Sequence, residues 1–133
     1  MLRPAFKNII LFFFLKYFIF YIFLMFRNND YTLVQIGSLR NGEDVFYYLW
    51  MFLFLPVLCG VLFSVPIYFA FKLNNMIYFI LLVVGVLIAE YFLYTHYASQ
   101  ADLMNGVYNG LISLLVLSLL FFRTVGRLFK LKV

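Results

Sequence analysis

Four runs of apolar residues, each close to the length needed to cross a lipid bilayer, divide this chain of 133 residues. A helix rises about 1.5 Å per residue, so a hydrocarbon core of ~30 Å takes roughly 20 residues to cross. The runs cover residues 9–26, interrupted only by Lys16; 45–71, carrying Pro56 and Pro66; 76–97, with Glu90 inside; and 107–122. Polar surface is scarce. The chain is 67% hydrophobic and 11% charged, against about 25% charged in an ordinary soluble domain, so there is too little polar surface to cover a water-soluble core. The sequence therefore predicts an all-α integral membrane protein, a single membrane domain built as a four-transmembrane-helix bundle.

The connections between runs are unequal. Residues 27–44 form a polar loop rich in Asn, Gly and charge, with an alternating stretch at 31–36 that reads as a strand-like or interfacial segment. Residues 72–75 make a tight turn, which predicts that the second and third helices are antiparallel neighbours, and 98–106 is a short polar link. Arg3 and Lys7 precede the first run as they would in a secretory signal, but the run is too long and no small-residue cleavage site follows, so it reads as a retained helix. Charge sets the expected orientation. With four spans, Arg3, Lys7, Lys72, Arg123, Arg127, Lys130 and Lys132 fall on one side, while only Arg27 and Arg40 fall on the other. Positive residues near short loops are retained in the cytoplasm, so both termini are expected there, in the cell's inner (plasma) membrane.

Several function classes are excluded by what is missing. A lone Cys, a lone His and five acids, four of them isolated or in loops, offer no metal-ligand spacing, and no Gly-rich phosphate loop is present. No cofactor is expected. The net charge of +5 sits largely beside the apolar runs, where it reads topology and anionic lipid headgroups, so no nucleic-acid partner is expected. A membrane-embedded enzyme generally needs two cooperating groups, and Lys16 and His96 stand at unhelpful depths relative to Glu90; the chain is not expected to be an enzyme.

Glu90 is the most informative single residue, because an ionised carboxylate in lipid is expensive and faces protein or water. Tyr94 and Tyr97, at i+4 and i+7, are expected beside it on one helical face, as a hydrogen-bond ladder or a cavity lining. Lys16 lies about seven residues, roughly 10 Å, into the first run, and Glu90 differs from it in depth by about as much again. The long lysine stem favours snorkelling toward the headgroups; a pair with Glu90, or a ring of lysines in an oligomer, is the alternative. On the fourth run Asn105, Asn109 and Ser113 recur at i, i+4 and i+8 as a second polar stripe.

Small residues at four-residue spacing mark candidate helix-packing faces, where backbones approach closely: Gly60 with Ser64, Gly85 with Ala89, and Gly106 with Gly110. The tail at 123–133 is expected to continue the fourth helix as a basic amphipathic extension. In it Arg123, Arg127 and Lys130, together with Lys16, contact lipid or a partner. Two functions fit these features. The first is a small homo-oligomeric channel or pore, or a pore-forming membrane effector, whose path is lined by the polar faces of the third and fourth helices: Glu90, Tyr94, Tyr97, Asn105, Asn109 and Ser113. The alternative is a noncatalytic accessory subunit or assembly factor of a larger membrane complex. Membrane lipids, and copies of itself or a larger complex, are the expected partners.

Overall fold

A computed structural model describes residues 3–31, 37, 39–73, 75–97 and 102–129, apart from the side chain of Met51. Five helices are described: α1 (Phe6–Asn28), α2 (Gly42–Lys72), α3 (Met76–Tyr97), α4 (Met104–Leu120) and α5 (Phe122–Leu128). Three of them, α1, α3 and the Phe52–Lys72 part of α2, are long and apolar enough to cross a membrane; α4 and α5 add a fourth crossing if taken together as one bent span. This all-helical architecture fits a multi-pass membrane protein. The alternating 31–36 stretch lies, but for Tyr31, outside the described residues.

Short polar side chains set the helix ends. α1 stops where Asn29 takes a left-handed conformation, φ 50°, and returns its N–H to the Met25 carbonyl; Asn is among the few residues other than Gly that adopt this cap readily. Asn41 caps α2 by accepting the Asp44 N–H at 2.8 Å. Asn75 Oδ1 accepts the Ile77 N–H at 2.9 Å at the start of α3, and Asp102 Oδ1 accepts the Met104 N–H at 3.0 Å at the start of α4. These caps satisfy amide groups that a helix start leaves unpaired. They also begin α2 three residues before the apolar run at 45–71, so Gly42–Asp44 belong to the helix and not to the loop. At 31 residues α2 outruns the hydrocarbon core, and its first turns carry the exposed rings of Phe46, Tyr47 and Trp50, suited to the membrane interface.

The main helix contacts run α1 to α2, α2 to α3, α3 to α4 and α4 back to α1. This closes a square with α1 and α3 on a diagonal. Ile9, Phe12, Phe13, Lys16, Tyr17 and Phe20 form the buried stripe of α1, at the spacing that keeps one helical face inward. Ile67, Ala70 and Phe71 of α2, Phe79, Val83 and Val86 of α3, and Val116, Leu117 and Phe121 complete the core toward the Lys72 end. Leu117, at only 4% exposure, belongs to this core and does not face lipid.

The tail departs from expectation. It does not extend α4, because the chain breaks at Phe121 and α5 leaves at 93°. Phe121 is fully buried, with its ring 5.0 Å from that of Phe71, while Phe129 meets Phe79 edge-on at 6.3 Å. Burial of these rings draws the chain under the bundle instead of along the α4 axis. Arg123 and Arg127 remain exposed, as expected of lipid or partner contacts, and Lys130 lies outside the described residues.

Candidate functional site

At mid-bundle the four long helices each send a polar side chain to one point: Lys16 and Tyr17 from α1, Cys59 from α2, Glu90 from α3 and Ser113 from α4. None of the five exceeds 2% exposure. Lys16 Nζ donates to Glu90 Oε1 across the diagonal of the square, and to Ser113 Oγ at 2.8 Å. Tyr17 donates its hydroxyl proton to the same Glu90 oxygen at 2.5 Å. Having committed that proton, Tyr17 can meet Cys59 Sγ, 3.2 Å away, only as acceptor of the thiol proton. Ser113 passes its own proton to the Asn109 carbonyl at 2.8 Å, which leaves its oxygen free to accept from Lys16. The ammonium also lies 4.6 Å from the centre of the Tyr17 ring and 5.3 Å from that of Phe13, within cation–π range.

Lys16 thus does not snorkel and is no lipid contact. The depth argument misplaced it because α1 begins at Phe6, before the apolar run, which puts Lys16 about ten residues, roughly 15 Å, along the helix. Glu90 lies about 14 residues along α3 from the same end, so the mismatch shrinks to roughly 6 Å, within reach of a lysine stem. The alternative weighed from sequence, a pair with Glu90, is the arrangement found.

The expected ladder on α3 is changed too. Tyr94 shares the buried face of Glu90 and meets Phe20 edge-on at 5.2 Å. Tyr97 is 60% exposed and lies against the rings of His96 and Phe54, so it is not part of the polar cluster. Tyr97 is the last residue of α3, where the helix end leaves its ring outside the packed interior, whereas Val83, seven residues the other way from Glu90, is buried. The partner that sequence reasoning missed is Tyr17. Its only signal is adjacency to Lys16, hidden in a chain with 11 Tyr and 19 Phe.

The α4 stripe points inward throughout. Asn105 is 9% exposed, Asn109 1% and Ser113 2%. Asn105 Oδ1 accepts from Arg27 Nη1 at 2.6 Å, and the same guanidinium lies 3.4 Å from Asp102 Oδ2 and 4.6 Å from the Tyr108 ring. Arg27 therefore ties the end of α1 to the start of α4. The cavity that touches Glu90 and Ser113 holds only about 10 Å³ and is otherwise walled by apolar side chains such as Phe12, Val86 and Leu117. That volume is near the space of one water, so no substrate fits beside the ion pair.

The small-residue pairs divide. A Cβ at Gly106 would lie 2.6 Å from Tyr91 Cδ2, so this glycine is required where α3 and α4 touch. Gly60 is buried against Phe13 at ordinary contact distance, and the Ser64 hydroxyl donates to the Gly60 carbonyl. By contrast, a Cβ at Gly85 or Gly110 would meet open space, and Ala89 is only half-buried. Gly85 and Gly110 are therefore not packing contacts within the chain: their helical phase turns them away from the inward faces set by Glu90 and Asn109. Comparison of the chain with family models, with characterised proteins and with solved structures gives no match.

Proposed function

We propose that this chain is a noncatalytic subunit or assembly factor of a larger membrane complex, with both termini cytoplasmic. The observation that supports this reading is the direction of the polar side chains. Lys16, Tyr17, Glu90, Asn109 and Ser113 are turned into the bundle, where four of the five bond one another. A lumen between copies needs polar groups on outward faces. The outward faces of α3 and α4 instead carry Val84, Ile88, Phe92, Val107, Leu111 and Leu115. An apolar exterior around an inward-turned polar centre suits a chain surrounded by lipid and by the helices of partners, and it supports this reading over a channel lined by these residues.

The orientation rests on charge. Arg3, Lys7, Lys72, Arg123 and Arg127 are all exposed and belong to the end where α1 starts, α2 stops, α3 starts and α5 follows α4. Reporters fused at the N-terminus, near Lys72 and after Val133 are expected to read cytoplasmic alike. For the function itself, the native mass of the detergent-extracted complex is the direct test. A defined heteromer, together with no current from the purified chain in planar bilayers, is the expected result. A ring of this polypeptide alone that conducts would overturn the proposal.

A further inference from the structure

The polar stripe of α4 contains one group that the bundle leaves unsatisfied. Asn109 Oδ1 is buried without a hydrogen-bond partner among the described residues. Such an oxygen carries a desolvation penalty unless something donates to it. Its position is informative. One turn toward the Arg27 end stands Asn105, which accepts from the half-exposed Arg27, itself 3.4 Å from Asp102. One turn the other way stands Ser113, bonded to Lys16. Each step along this face rises about 6 Å. The three side chains thus form a polar line from the solvent-reachable end of α4 to the ion pair, interrupted only at the open acceptor.

We propose that Asn109 binds a buried water admitted from the Arg27 end, making the inner face of α4 a one-sided hydration path to the Lys16–Glu90 pair. A water donating one proton to Asn109 Oδ1 keeps its other hydrogen and its lone pairs for the neighbouring polar groups, as buried waters ordinarily do. The path stops at the pair. Beyond it toward the Lys72 end the space beside Glu90 and Ser113 is only about 10 Å³ and is walled by Phe12, Phe13, Val83, Val86 and Leu117, and the buried Ser64 commits its hydroxyl proton to the Gly60 carbonyl. The arrangement therefore hydrates the centre from one side without opening a route across.

The cluster includes its own reporter. Cys59 is the single cysteine of the chain, and its thiol ends the chain of hydrogen bonds that runs from Lys16 through Glu90 and Tyr17. Infrared spectra resolve a thiol S–H stretch in a region clear of other protein bands. Its conversion to S–D after transfer of the protein in lipid nanodiscs to heavy water reports arrival of solvent protons at the cluster. Asn109→Leu, which fills the site with an apolar side chain, is expected to slow this conversion at least tenfold. Asn105→Leu, one turn nearer the mouth, should slow it comparably and serves if the first variant folds poorly; unfolding accelerates exchange, so slowing is not mistaken for it. Val86→Leu, on the opposite side of the pair, should leave the rate unchanged. Wild-type exchange in both Asn variants, slowing by Val86→Leu, or no exchange in the wild-type protein would each overturn the proposal.

Discussion

Lys16 and Glu90 show how far single residues can be read. Both are legible as anomalies, since an ionised side chain in an apolar run must find a partner or water. Their pairing is harder to read, because it depends on where α1 begins, and Phe6–Asn8 join the helix although the apolar run starts at Ile9. Tyr17 is harder still: nothing in its neighbourhood separates it from rings that only pack. Its hydroxyl nevertheless bonds a buried carboxylate, which makes it worth testing. Neutral hydrogen bonds within membranes contribute on average ~0.6 kcal/mol, and bonds to charged groups about 1.5–3 kcal/mol. Tyr17→Phe is therefore expected to lower unfolding stability in detergent by about 1–2 kcal/mol, with Tyr21→Phe, outside this cluster's bonds, as the control for ring chemistry. The structure also alters what is expected of Glu90→Gln. In a tyrosine ladder that change would be nearly silent; beside Lys16 it leaves a buried ammonium without its countercharge.

At the scale of elements, the helices were largely legible and their faces were not. The apolar runs located α1 to α4 because length and composition alone decide a membrane-spanning helix. Which side of each helix faces inward is hidden, since lipid and core are both apolar and a wheel of Phe, Leu and Ile carries little asymmetry. Only the polar residues break that symmetry: Asn105, Asn109 and Ser113, read from sequence as one stripe lining a path, lie together on the buried face of α4. The small-residue pairs divide for the same reason, because spacing does not give phase. Gly106 and Gly110 separate the two cases within one motif. Gly106→Ala should destabilise the bundle by about 1–3 kcal/mol, as overpacking does, by forcing the Tyr91 ring aside. Gly110→Ala should stay within ~0.5 kcal/mol of wild type when unfolding of the monomer is followed in micelles. The turn at Phe121 had no local signal either. No Pro or Gly stands there, and burial of its ring against Phe71 is a tertiary effect that only the assembled bundle supplies.

The whole molecule is a square of helices whose centre is polar and whose exterior is apolar. Its defining contact joins α1 to α3 across the diagonal, between residues 74 positions apart in sequence, so the contact is made only when the bundle is assembled. Breaking one side of a buried pair strands a charge, with a typical loss of about 3–5 kcal/mol, whereas replacing both by apolar groups of similar size is often neutral or better. That asymmetry gives the most direct measurement of the account: a double-mutant cycle on Lys16→Met and Glu90→Leu, read by equilibrium unfolding in a fixed detergent. Each single change is predicted to cost about 3–5 kcal/mol, and the double mutant to recover at least about 2 kcal/mol of the summed loss through their coupling. Losses that add to within ~0.5 kcal/mol, as for independent sites, would contradict a bundle closed around this pair.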